Sequence, residues 1–426
     1  MDIRGMYENF GISSMLLELG NEIEADLAVR FAEIDKTAEY NQLKVLEAFR
    51  TNRISEADFA RTTGYGSGDV GRDNLERVYA TVFKGEDALV RSQLVCGTHA
   101  ISTALFGNLR YGDEMLSPVG KPYDTLDSII GLNDARGSLK EHGVSYRQVD
   151  LKDDYSIDFE GIKAAIGPKT RLAEIQRSRG YSLRPTLSVE QIGQIVETIK
   201  SVKPDVICMV DNCYGEFTEE REPLEVGADL IVGSLIKNPG GGLAPIGGYI
   251  AGKEEYVENA AFRLTAPGLG KEIGANLGVN KDLYQGLFLS PSVTAAAVKG
   301  AAFAAAILER FGLETSPASS EKRHDIIQAV NMGSPEAMEA FCMGIQAAAP
   351  IDSYVRPVAS DMAGYDSKVI MAAGAFISGS SIELSADGPM REPYTVFLQG
   401  GLTWHHAKAG ILLAVQKLID AGYVKA

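Results

Sequence analysis

The sequence predicts an α/β protein, a mainly parallel sheet with helices on both faces followed by a smaller α+β domain, and three observations carry that prediction. From about residue 85 to 250, short apolar runs alternate with amphipathic stretches, the pattern of strands and helices wound into one sheet. Residues 229–252, DLIVGSLIKNPGGGLAPIGGYIAG, hold two apolar runs too short for helices, parted by Asn238-Pro239 and three glycines. Strand–turn–strand is the natural reading. After an Ala-rich helix over 293–308, AMEAFCMGIQAAAPI reads as a helix, KVIMAAGAF and SIELSA as strands, and 411–419 as a closing helix. The expected organisation is an N-terminal helical arm over 1–60, a large α/β domain over 61–292 and a small C-terminal α+β domain over 293–426.

With 426 residues, 45% hydrophobic and 23% charged, the chain can bury a large core. A formal net charge of −16 argues against a nucleic-acid partner, because phosphate backbones demand clustered lysines and arginines. The four cysteines form neither a CxxC pair nor a metal spacing, as suits a reducing compartment. No basic-then-apolar leader and no apolar run of about 18 residues is seen, so a cytoplasmic protein without a membrane partner is expected.

Taken in order, Leu16, Leu19, Ile23, Leu27, Phe31 and Ile34 recur at steps of three and four, an amphipathic arm packed on the body or on a partner subunit. TTGYGSGDVGRDNLERVYATVF begins as a Gly-rich loop and becomes a helix from Asp73, with Leu75, Val78, Tyr79 and Val82 on one face. In SQLVCGTHAISTALFGNL a strand ends at Cys96-Gly97-Thr98 and a helix follows. Free N–H groups at a helix start let Gly97 and Thr98 cradle a phosphate, although a plain cap uses the same residues. EMLSPVGKPYDTLDSIIGL repeats strand, loop and helix, with Tyr123 in the loop. RLAEIQRSRGYSLRPTLSVEQIGQIVETIK gives a strand, a polar cluster and a helix capped at Ser188. Arg177, Ser178 and Arg179 stand at that strand's end, where open α/β sheets present ligands. Position favours Ser178 and Arg179 as partners of an anion. The adjacent histidines of QGGLTWHH cannot share one helical face, and no metal site is expected.

The chemistry gathers at two strand ends. Asp211 closes the apolar run VICMVD, and Lys237 follows the run LIVGSLI 26 residues later, roughly one strand–helix–strand step. A lone lysine after a strand is ordinarily a solvated end. Asp211, Ser234 and the glycines after Lys237 together point instead to a pyridoxal phosphate site. There the lysine holds the cofactor covalently and the carboxylate keeps its ring nitrogen protonated.

The stretches VDNCYGEF, GSLIKNPGGG and ELSADGPMREPY resemble the methionine gamma-lyase-like family, also called aluminium-resistance proteins, over about residues 65–406. The resemblance implies the fold-type-I architecture of pyridoxal phosphate enzymes in cysteine and methionine metabolism. It implies that Tyr123 stacks on the cofactor ring, that Tyr65 and Arg72 reach the phosphate of a neighbouring subunit, and that Arg391 binds the substrate carboxylate. The spacing of Tyr65 and Arg72 departs from the family's pattern. A carbon–sulfur lyase acting on a small sulfur-containing amino acid is expected, of the methionine gamma-lyase or cystathionine beta-lyase type and assembled as a homodimer or homotetramer with shared sites. An aminotransferase, a thiol-replacement transferase or a non-catalytic binding protein on the same fold stay open at this point.

Overall fold

The computed structural model describes residues 2–362, 365 and 367–425. Seven strands form the larger sheet: β1 (Asp87–Arg91), β2 (Glu114–Ser117), β3 (Ser145–Gln148), β4 (Thr170–Gln176), β5 (Ile207–Asp211), β6 (Leu230–Ser234) and β7 (Gly248–Gly252). Their order is β1-β7-β6-β5-β4-β2-β3. The strands from β3 to β6 run parallel, while β7 is antiparallel to both β6 and β1. β5 is buried along its whole length, and its side chains alternate between two cores. Cys208 and Val210 face one core, Ile207 and Met209 the other, the period-2 pattern of a sheet covered on both faces. Asp211 falls on the face of Met209, where the helix Gly97–Asn108 packs through Ile101, Ala104 and Leu105. The sheet thus aims an acid and a helix N-terminus at the same end.

A second sheet, wholly antiparallel, runs β10-β11-β12-β9-β8 from β8 (Thr315–Ser316), β9 (Gln328–Asn331), β10 (Val369–Ala372), β11 (Ser385–Pro389) and β12 (Thr395–Gln399). The helix Asn280–Arg310 joins the two halves. Its first turns pack Leu283, Tyr284 and Leu287 on the large-sheet core, and its last turns put Phe303, Ile307 and Leu308 in the small-sheet core. The helix therefore begins well before the Ala-rich stretch and passes through Pro291. Proline has no N–H for the Leu287 carbonyl; the Ser290 hydroxyl donates to it instead at 2.7 Å. This helix is long and apolar enough to cross a membrane, but 83% of that window is buried inside the protein. The N-terminal arm packs on the body: Leu16, Leu17, Ile23 and Phe31 join the small-sheet core, Val45 and Ala48 the large-sheet core.

One connection differs from expectation. Between β5 and β6 there is no crossover α-helix, only a short 3-10 turn at Pro223–Val226. Tyr214 and Phe217, at φ 72° and 63°, sit in the left-handed region and fold the chain into tight turns just after Asp211. Pro223 then breaks any helical continuation.

Candidate active site

The turns after β5 are held from beneath by a buried guanidinium. Arg177 donates to Asn212 at 2.8 Å and pairs with Glu219 at 3.0 Å and with Glu222 at 3.5 Å, while Glu222 accepts the Phe217 N–H at 2.9 Å. A left-handed non-glycine residue persists only where its surroundings over-determine it. Asn238 adds a second clamp, donating from Nδ2 to the carbonyls of Tyr214 and Glu216, each at 3.0 Å. The residue beside Asn238 is Lys237, so the clamp couples the lysine turn to the tyrosine turn. The Lys237 ammonium lies 4.0 Å from the centre of the Tyr214 ring, a cation–π contact. From the small domain, the Ser381 hydroxyl donates to Tyr214 Oη at 3.0 Å.

Lys237 opens into a cleft of about 230 Å³ between the two sheets. Thr98, Thr125, Tyr123, Tyr181 and Tyr214 line it from the large domain, and Tyr365, Ser381, Ser385, Asp387 and Gln399 from the small one. The Tyr123 and Tyr365 hydroxyls meet at 2.5 Å, and Tyr181 packs 5.1 Å from Phe397. Gly180, at φ 58°, lets the chain pass beneath Tyr123; a Cβ there would come within 2.8 Å of the ring. Burial opposes the charge of Lys237, while Cys213, Tyr214, Asp211 and Glu216 oppose its loss, and the balance holds the ammonium above its ordinary range. Burial pushes the Asp387 carboxyl up to about 6, against the pull of the Tyr181 hydroxyl, Gln399 and Lys237.

The residues present fit pyridoxal phosphate. At the end of β6, three residues before Lys237, the Ser234 hydroxyl is buried and has no partner among the described residues. Gly97 faces it so closely that a Cβ would stand 3.1 Å from Ser234 Cβ and 3.6 Å from Cys213 Sγ. Thr98, in the first turn of the same helix, shares a hydrogen bond with Thr125 at 3.2 Å. An orphan hydroxyl, a helix N-terminus and neighbouring threonines form a cradle suited to a phosphate. Asp211, 7% exposed, accepts the Cys213 N–H at 3.1 Å, which fixes its carboxylate at the strand end.

The structure therefore brings Lys237, Asp211, Ser234, Gly97, Thr98 and Tyr123 to one place. The remaining expected residues stand elsewhere. Arg179 and Arg391 line a neighbouring cavity of about 430 Å³ that shares Tyr123 and Tyr181 as its wall. The Ser178 hydroxyl is turned to Asp325 at 3.2 Å and Arg179 donates to Ser316 at 3.0 Å, so both tie the strand end to the small domain. Tyr65 is 80% exposed on its loop. Arg72 is buried, and its guanidinium is taken up by Asp73 and by the carbonyls of Gly66 and Gly274 at 2.8 and 2.9 Å. Within the chain Arg72 thus shapes the loop that displays Tyr65. Sequence reasoning missed Tyr214, Tyr181 and Asp387, although VDNCYGEF and ELSADGPMREPY carry the first and last.

Comparison with known proteins agrees with the fold. A solved carbon–sulfur lyase involved in aluminum resistance from Clostridium novyi NT superposes with a TM-score of 0.93 at 50% identity, covering 97% of this chain and 98% of that one. A candidate cystathionine beta-lyase involved in aluminum resistance from Clostridium acetobutylicum gives 0.94 at 51%, covering 98% of each. The uncharacterized protein YnbB of Bacillus subtilis (strain 168) is 48% identical over 97% of this chain and 99% of its own length. At 16% identity, the pyridoxal-5'-phosphate-dependent protein YhfS from Escherichia coli shares the fold, with a TM-score of 0.61 and coverage of 91% and 97%. Residues 16–419 match the family model described as Methionine gamma-lyase. The chain belongs to the methionine gamma-lyase family, whose fold is that of pyridoxal-phosphate-dependent lyases.

Proposed function

We propose that this protein is a pyridoxal-phosphate-dependent carbon–sulfur lyase that releases a thiol from a sulfur-containing amino acid. The observation that carries the reading is that Asp211 and the orphan Ser234 hydroxyl close neighbouring strands beside Lys237, in a chain of this family. Bound there, the cofactor would supply an electron sink for the pair left when the substrate's α-proton departs. Gly97, Thr98 and Ser234 would hold its phosphate, Asp211 would keep a proton on its ring nitrogen, and Tyr123 offers a flat ring to stack against it. Lys237 Nζ would anchor the group and is the amine that would take the α-proton. Its place over the Tyr214 ring limits its travel to the cleft. Loss of the thiolate with the carbon–sulfur bond's electrons, its protonation, and hydrolysis of the remainder would leave a 2-oxo acid and ammonium beside the thiol.

We further propose a homodimer or dimer of dimers in which the exposed Tyr65 reaches a neighbouring subunit's cradle, and a role for Arg391 in holding the substrate carboxylate. Incubating the cofactor-loaded protein with L-cystathionine, L-methionine and L-cysteine, and assaying thiol, 2-oxo acid and ammonia in equal amounts, tests the reaction. Amino-group transfer without thiol release would overturn it.

A further inference from the structure

The molecule holds a second unsatisfied polar site, away from the cleft. A cavity of about 70 Å³ lies between the arm helix Ala28–Thr51, the helix Asn280–Arg310 and the segment entering β9. Arg30, Thr218, Thr294, Lys322 and Arg323 line it, with the exposed Glu33 at its rim. Arg323 is 5% exposed, and none of its three guanidinium nitrogens has a partner among the described residues. The other buried described arginines are all engaged: Arg91 with Glu76, Arg177 with Glu219, Arg179 with Ser316, Arg184 with the Gln176 and Ser178 carbonyls, and Arg72 as above. A guanidinium cannot escape burial by losing its proton, so an unpaired one demands an anion.

The carboxylates whose charge acts on Arg323, Asp325 and Glu309, are already occupied. Asp325 accepts from Ser178, Thr186 and the Ile327 N–H, and Glu309 from Thr315 and Ser319. The Thr294 hydroxyl, fully buried in the same cavity, likewise has no partner among the described residues. Two residues with orphan donors, on different elements, therefore line one cavity together with two further cations, in a protein whose overall charge is −16. The void is too small for a nucleotide. We propose that this cavity binds a small oxyanion, the chemistry shared by inorganic phosphate, sulfate and a short carboxylate, through the Arg323 fork and the Thr294 hydroxyl. Such an ion would lock the arm to the body. It would also brace the turn beneath Lys237, because Thr218 bonds both the Gly215 carbonyl at 2.7 Å and the His324 carbonyl at 3.0 Å.

The test is thermal unfolding of the protein saturated with pyridoxal phosphate, so that the cleft's own cradle is filled, titrated with sodium phosphate, sulfate or acetate against chloride at equal ionic strength. We expect a saturable rise of about 2–4 °C in Tm with at least one oxyanion, and its loss in Arg323→Gln. The three salts distinguish a tetrahedral ion from a carboxylate. If Arg323→Gln does not fold, Thr294→Val must weaken the apparent affinity at least about threefold, since one hydroxyl contact is removed. No oxyanion-specific shift, or the same shift in Arg323→Gln and Thr294→Val, overturns the proposal. So does a wild type indifferent to all three ions but destabilised by Glu33→Gln, which would mean that Glu33 fills the cavity.

Discussion

The two cavities that meet at the wall of Tyr123 and Tyr181 differ in what they offer. Among the described residues the cleft has one cation, Lys237, facing hydroxyls and the carboxyl of Asp387. Its neighbour is larger and carries three arginines, yet two of them are committed: Arg184 to the carbonyls of Gln176, Ser178 and Pro185, and Arg179 to Ser316. Only Arg391 among the three is exposed there. The difference separates bond-making from recognition. Covalent chemistry belongs where a lysine is enclosed, and a carboxylate is most readily held where a guanidinium still has free donors.

Breaking the first half of that comparison should have the largest effect. Lys237→Ala should leave the fold intact but abolish covalent attachment of the cofactor and lower turnover more than about 10³-fold. Mass spectrometry after borohydride reduction reads the attachment, and label found on Lys253 or Lys271 would refute the assignment. The second half is tested by Arg391→Lys, which keeps the charge but loses the bidentate fork. We expect kcat/KM to fall about 10–100-fold with the cofactor's absorption unchanged. Unaltered kinetics would place the substrate carboxylate in the cleft itself, among Ser381, Ser385 and Gln399.

A third test sharpens the contrast between a site complete in one chain and a site that is shared. Tyr65→Phe and Lys237→Ala proteins should each be poorly active alone. If Tyr65 serves a neighbouring subunit, mixed dimers regain about half of their sites, one of the two being wild-type in both residues. No recovery on mixing would confine each site to a single chain.

The large sheet was legible because its strands are short, apolar and punctuated by glycine and proline, and the candidate cofactor residues stood out because Asp211 and Ser234 close strands and Lys237 lies just beyond one. The partners of Arg72 within the chain were not legible, for a physical reason. A loop arginine seen in sequence looks like a free cation, whereas three-dimensional packing supplied it with Asp73 and two carbonyls six and 202 residues away. The β5–β6 connection was misread because spacing alone resembles a helical crossover, and nothing local announces that Tyr214 and Phe217 turn left-handed. Asp387, in β11, and Tyr181, in the turn after β4, face the cleft only through tertiary packing, which no local pattern encodes.

The smallest effect concerns a carboxyl beneath the site. Glu174 lies on the same face of β4 as Gln176, whose register partner is Asp211, and neither of its oxygens has a partner among the described residues. Burial first, and the charge of Asp211 second, push it up to about 8 from its usual 4.5, with Arg184 pulling the other way. The folded protein therefore keeps a proton on Glu174 that the unfolded chain has already lost above pH 4.5. Stability from this group is full below that pH and drains away as pH rises to about 8, by at most about 1.4 kcal/mol per pH unit. Glu174→Gln holds the neutral shape at every pH. It should match the wild type near pH 5, exceed it by a few kcal/mol at pH 8 and leave turnover at neutral pH within about twofold. Glu216, also pushed to about 8, contributes its own slope, so urea unfolding at several pH values is read as the difference between the two proteins. Parallel curves would mean that Glu174 is already ionised at neutral pH. Asp211 would then share its strand end with a second negative charge, and the cofactor's ring nitrogen would face two carboxylates instead of one.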